Sequence, residues 1–202
     1  MLKKISLAVL LTFGLAGAQA TESTPPSAGF APFVGFGLTY GGDQIGQEIH
    51  YTDGTTSSIH GGGLVAMLAG IEYQTMNSPL SMQLSIGYHV DDTLNAKNGS
   101  VRFSRTPIEA LAHWRMSDSW RLGGGLRKAV GAQTRSSGLG SGYVADQNYT
   151  ASTGLVLEAE MFFSPTVSMK MRAVSEKYTP ETGAKQELDG SHLGVIGVYY
   201  FK

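Results

Sequence analysis

A hydroxyl becomes a nucleophile only when a base stands within hydrogen-bond reach, so serine beside histidine is the first pairing to test. The chain offers His60 with Ser57 or Ser58, His113 with Ser117 or Ser119, and the adjacent Ser191-His192. None has a third, orienting residue in a recognisable motif, and neighbours in an extended segment project to opposite faces. These positions read as lumen or loop polar residues, and no catalytic residue is assigned.

The segment His89-Val-Asp-Asp-Thr-Leu-Asn-Ala-Lys-Asn-Gly99 gathers Asp91, Asp92, Asn95 and Asn98. Oxygen ligands of this kind suit a hard cation, but their spacing is not that of an EF-hand loop. A solvated, turn-rich loop is expected, and no metal site. Gly61-Gly-Gly63 and Gly123-Gly-Gly125 lack the Lys-Ser/Thr and the following helix of a phosphate loop, so no cofactor site is assigned either. Those glycines are expected to relieve crowding or permit curvature in a sheet. With no cysteine, the chain has no disulfide, lipobox or thiol chemistry.

The elements that carry these residues follow from periodicity. Segment 80–89 sets Leu80, Met82, Leu84, Ile86 and Tyr88 against Ser81, Gln83, Ser85, Gly87 and His89. Apolar and polar residues alternating with period two make a two-faced strand. The same pattern marks strands near 30–40, 63–73, 101–114, 120–127, 153–163, 167–176 and 193–201, eight in all, with no sustained helical period. Their connections alternate long and short. Within the first long one, 41–60, the Asp53-Gly54 dipeptide marks a hairpin tip. The stretch 129–150 reads as a long Gly/Ser-rich loop and 178–190 as the last polar loop. An antiparallel meander of this kind collects four long loops at one end and the tight turns at the other.

The chain opens Met-Leu-Lys-Lys, then an apolar run over 5–16 and Ala-Gln-Ala at 18–20. That is the form of a secretory signal peptide, and the run is too short to span a bilayer as a helix. The expected division is a signal peptide over 1–20, a flexible polar leader over 21–29 and one barrel domain over 30–202. The 15 basic and 16 acidic side chains nearly balance, and cleavage after Ala20 would remove Lys3 and Lys4 alone. A slightly acidic mature chain without a basic cluster is not a nucleic-acid binder.

A barrel can bury its apolar face or turn it to lipid. Charged residues are only 15% of this chain, against about 25–35% of a soluble surface. The apolar faces are almost free of charge over the ~9–11 residues that cross a bilayer. Their ends carry Tyr73, Tyr88, Trp114, Trp120, Phe163, Tyr199 and Phe201, as aromatic girdles require. These features favour the lipid-facing version, an eight-stranded antiparallel up-and-down transmembrane β-barrel, with strand 30–40 closing against 193–201. On the polar face, a tight turn at 163–166 sets Glu160 opposite Lys170 and Glu158 opposite Arg172, and the link at 115–119 brings Glu109 near Arg127. Such pairs would plug the lumen, where a lone charge costs several kcal/mol.

Gly41-Gly-Asp43, Tyr88-His-Val-Asp-Asp92, Leu122-Gly-Gly-Gly-Leu126 and the aromatic terminus through Phe201-Lys202 also carry a family likeness. Over its whole mature length the chain resembles the small Gram-negative outer-membrane β-barrel proteins of the eight-stranded, porin-like type. The resemblance implies a place in the cell outer membrane, contact with its lipid and lipopolysaccharide, a C-terminal strand read by the insertion machinery, and a monomer. Many such proteins have no assigned biochemical role. The expected function is non-enzymatic: a structural or surface-interaction role through four extracellular loops, without cofactor or metal. A narrow pore for small solutes is the alternative, and a lipid A-modifying enzyme stands third.

Overall fold

The structure, a computed structural model, describes residues 28–50, 56–93, 99–183 and 185–201. The expected signal peptide, the Asp53-Gly54 tip, Asn95, Asn98 and Lys202 lie outside the described residues. The strands in chain order are β1 (Gly29–Gly41), β2 (Gln44–His50), β3 (Thr56–His60), β4 (Leu64–Gln74), β5 (Leu80–Asp92), β6 (Gly99–Arg115) and β7 (Trp120–Gly138). After a 3-10 turn at Leu139–Gly142 come β8 (Gln147–Ala151), β9 (Thr153–Phe162), β10 (Val167–Ser175), β11 (Lys177–Pro180), β12 (Leu188–Asp189) and β13 (His192–Tyr200).

Eight of these strands, β1, β4, β5, β6, β7, β9, β10 and β13, form a closed antiparallel barrel. The seam is the expected one: β1 pairs with both β4 and β13, Phe36 lying opposite Met67 on one side and Gly197 on the other. Pairing of β7 with β9 completes the ring, leaving no open edge at membrane depth. Burial alternates with period two. In β5, Ser81, Gln83, Ser85 and His89 are buried while Met82, Leu84, Ile86 and Tyr88 face out. Leu84 is 57% exposed and Glu160 0%, the inverse of a soluble protein and the signature of a barrel whose solvent is lipid.

The apolar belt has visible limits. Tyr73, Trp114 and Phe163 sit exposed beside the tight turns, whereas Tyr40 and Tyr88 mark the opposite rim. Just beyond Tyr88, Asp92 and Arg102 form an outward ion pair of 2.6 Å, so hydrocarbon must end below it. Outward Lys128, bonded through Nζ to the Ala151 carbonyl, sets the same boundary on β7.

Two expected loops are corrected. Stretch 129–150 is largely ordered as strand, because β7 continues to Gly138 and β8 pairs back on it, Gln133 opposite Asn148. Segment 178–190 likewise contains most of β11 and all of β12, and β11 pairs with β8. The inward residues here, Ala129, Ala132 and Thr134, are small, so they give little hydrophobic alternation; backbone pairing and packing from above hold the strand. A bulge adds to the concealment. At Gly131, with φ 60°, the register of β7 against β6 shifts between Ser104 and Thr106, and the side-chain parity of β7 reverses.

At 17 and 19 residues, β6 and β7 are far longer than a bilayer needs. Their outer halves, with β8 and β11, continue the wall above the membrane. The β2–β3 hairpin folds into this extension and buries Ile45 and Ile59 against Val101, Phe103, Val144 and Tyr149. Its base is pinned where the His60 amide donates to Asp91 Oδ2 at 2.8 Å and the Asp43 amide to the Asp189 carbonyl at 2.7 Å. A second apolar core thus lies outside the bilayer, over the barrel mouth.

Candidate functional site

The interior is charged from end to end. Glu72, Asp91, Glu109, Glu158, Glu160 and Glu176 are buried together with Arg105, Arg121, Arg127, Lys170 and Arg172. Every second residue of each strand points inward, so a strand contributes charges in steps of two, as Glu158 and Glu160 on β9 and Lys170 and Arg172 on β10. Near-neutrality lets such a set stay charged in a dry lumen.

At the tight-turn end Arg121 is the hub. It reaches Glu72 Oε2 across the barrel at 2.7 Å, Glu160 Oε2 at 2.8 Å and the Tyr200 hydroxyl at 2.6 Å. Phe162 lies under its guanidinium at 4.9 Å, and Tyr200 in turn donates to Glu160 Oε1 at 2.7 Å. One layer higher, Lys170 Nζ sits 2.7 Å from both Glu158 Oε1 and Gln83 Oε1, and His113 Nε2 is 2.6 Å from the same Glu158 oxygen. Above that, Glu109 bridges Arg127 at 2.8 Å and Arg172 at 2.7 Å, while Arg127 also reaches Glu176 at 3.0 Å. Tyr178 closes this layer by donating to Glu176 Oε1 at 2.7 Å; burial pushes its hydroxyl pKa up. Topmost is Arg105, which donates to the Gly63 carbonyl at 3.1 Å and stacks on Phe103 at 4.8 Å.

The expected registers occur: Glu160 lies opposite Lys170, Glu158 opposite Arg172 and Glu109 opposite Arg127. Two of the closest partners differ. Lys170 is 3.6 Å from Glu160 but 2.7 Å from Glu158, and Arg172 is 3.6 Å from Glu158 but 2.7 Å from Glu109. Long cationic side chains cross the narrow lumen and bind diagonally, so register alone misassigns them. Glu72, Gln83, Glu176 and Tyr200 enter from other walls, and only barrel closure brings them to their partners. Gly123 has a specific part: a Cβ there would overlap the His113 ring, so its absence makes room for the imidazole.

Among the described residues, neither His113 nor His192 is held against its neighbouring serine. His113 points into the lumen toward Glu158, whereas Ser117 caps the tight turn through the Trp120 amide. His192 is buried with Nδ1 2.8 Å from the Gly190 carbonyl. Asp91 and Asp92 occupy opposite faces of β5, which separates the oxygen ligands considered for a cation. His113, Glu158 and Glu160 do converge within 4.8 Å, but the Lys170 ammonium already occupies the cation's place beside Glu158. The space left beside His89, Pro107, Glu109 and Arg127 is ≈ 10 Å³, at most one water.

No protein-family model and no curated protein sequence matches the chain. Solved structures do. The chain is similar to Ail, the attachment invasion locus protein of Yersinia pestis, with a TM-score of 0.53 at 12% identity over 87% of this chain and 99% of that one. Neisserial surface protein A gives 0.49 at 10% identity over 87% and 100%. The outer membrane protease OmpT from Escherichia coli gives 0.36 at 10% over 90% and 99%. What the chain shares with the Yersinia barrel is the fold. It is an eight-stranded barrel of the outer-membrane type.

Proposed function

We propose that this outer-membrane barrel is a non-enzymatic, non-conducting protein that presents its extracellular extension to other molecules at the cell surface. The observation that carries this reading is the pairing of a lumen filled by linked ions with a structured cap above it. A pore needs continuous water along its axis; here Arg121, Lys170, Glu109 and Arg127 hold successive levels of the interior. An eight-stranded barrel has room for side chains and little else. A lipid A-modifying or proteolytic activity would need a nucleophile, a base and an orienter in one accessible place, and the buried histidines are committed to the lumen.

The partners that fit are membrane components. The apolar belt meets acyl chains, and the outward charges at Lys128 and Arg102 stand at headgroup height, where lipopolysaccharide lies. The β13 strand, ending at Tyr200 beside Phe201, is the segment the insertion machinery would read, and the closed ring suits a monomer. Planar-bilayer recording of the refolded protein tests the reading: no steady openings are expected, and steady single-channel openings would replace it with the pore. Lipid A mass spectra of overexpressing cells should be unchanged, and a new lipid A species would replace it with an enzyme.

A further inference from the structure

On the flank of the extracellular extension, β7, β8 and the end of β11 enclose a cleft of ≈ 400 Å³ lined by Arg135, Asp146, Gln147, Asn148, Glu181 and Thr182. Its side chains are held in place by one another. Arg135 donates to Asn148 Oδ1 at 3.0 Å and to its neighbour's carbonyl at 2.8 Å. Asp146 Oδ1 accepts from the Ser136 amide and hydroxyl, Gln147 and Thr182 exchange two bonds, and Thr150 donates to Glu181 Oε1. These bonds leave a free set among the described residues: donors at Arg135 Nε and Asn148 Nδ2, acceptors at Asp146 Oδ2 and Glu181 Oε2.

We infer that this cleft binds a neutral saccharide. A pyranose presents adjacent hydroxyls that both donate and accept, which is what interleaved amide, guanidinium and carboxylate groups match. Hydrogen bonds to charged groups are the stronger ones and carry the recognition. The competing ligands fit less well. Two carboxylates beside one guanidinium disfavour a phosphate. An extended peptide would seek a sheet edge, and here β8 is paired on both sides, Asn148 with Gln133 and Thr150 with Thr179. The volume lies within the ~300–1,000 Å³ of small-ligand sites.

Position narrows the source. Asn148 and Thr150 point away from the barrel axis while Tyr149 and Ala151 point in. The same wall, roughly 20 Å lower along the strand at ~3.3 Å per residue, carries lipid-facing Leu155. The cleft therefore faces sideways above the leaflet, toward the sugars of neighbouring glycolipids, although a soluble glycan could reach it as well.

This inference rests on the surface-protein reading, and its test is separate from that reading's. The full chain in nanodiscs is examined by saturation-transfer NMR, in one arm with complete-core lipopolysaccharide in the same disc and in the other with soluble maltotriose. The substitutions are Asn148→Asp, which keeps the acceptor for Arg135 and removes the free donor, and Glu181→Gln, which keeps the Thr150 contact and removes the charge. Transfer to sugar protons is expected in the wild type, with binding weakened about ten-fold in each variant, while the unboiled protein keeps its folded gel mobility. Transfer in the disc arm alone assigns the leaflet glycolipid as source, and transfer in the soluble arm alone assigns a free glycan. No transfer in either arm, equal transfer in the variants, or equal binding of a lipopolysaccharide stripped of its hexoses would overturn the saccharide site. The non-conducting barrel would survive that result, since it falls only on conductance.

Discussion

Replacing Glu158 with Gln tests the interior most directly. The side chain is fully buried; one oxygen lies 2.6 Å from His113 Nε2 and 2.7 Å from Lys170 Nζ, the other 3.6 Å from Arg172. Taking one charge out of a buried pair costs about 3–5 kcal/mol, because the partner stays behind uncompensated. Lys170 keeps Gln83 at 2.7 Å and Glu160 at 3.6 Å, and Arg172 keeps Glu109, so the lower end, about 3 kcal/mol, is expected. With a urea slope on the order of 2 kcal/mol per M, the unfolding midpoint in micelles should fall by about 1.5 M. Fluorescence of Trp114 and Trp120, both at the tight-turn rim, reports the transition. Adding Lys170→Met should restore part of the loss, since the stranded ammonium goes with it. A single substitution costing under ~1 kcal/mol, or a double one costing the full sum of the two singles, would mean these charges are independently hydrated and no network plugs the lumen.

Further predictions concern the glycines, the cap and its acid response. Gly123→Ala should cost about 1–3 kcal/mol, since its methyl overlaps the His113 ring, whereas Gly142→Ala, in open space, should be near neutral in the same urea assay. Ile59→Asn should undock the β2–β3 hairpin by breaking the core over the barrel mouth, so that limited proteolysis cuts within 44–60 while the membrane barrel keeps its unboiled gel mobility. Hydrogen bonds from Ser191 hold the Asp189 carboxyl below its ordinary value of 3.8. A lowered folded value stabilises above the unfolded one and is lost as pH falls through it, so loop protection at the Ser191 amide, read by hydrogen exchange, should be intact at neutral pH and drop below about 4.

The membrane wall was legible because each strand there has two chemically opposite faces. Met82, Leu84 and Ile86 against Ser81, Gln83 and Ser85 leave no choice of period, and the scarcity of charge across the chain then decides which face lines the lumen. The extension above it was not, for two physical reasons. Its inward residues, Ala129, Ala132 and Thr134, are small, so hydrophobic contrast fades, and the bulge at Gly131 breaks the period halfway. Ile45, Ile49 and Ile59 were the available signal in 41–60, isolated apolar residues in a polar stretch, and the partners of Ile45 and Ile59 come from distant strands. The ion pairs were half legible. A tight turn fixes which residues stand opposite, as Glu160 and Lys170 do, but Arg121 with Glu72 depends on closure of the whole ring, which no local pattern encodes.

The apolar cluster of Ile45, Ile59, Phe103, Tyr149 and Tyr178 has a consequence for how the chain reaches its final place. Its members come from both ends of the extension, so the cluster cannot assemble until those segments have crossed to the far side. Once made, it ties the extension's strands and the β2–β3 hairpin into one packed body, like the formed head of a rivet. Withdrawal would require unmaking that head first, and passage through the bilayer becomes one-way.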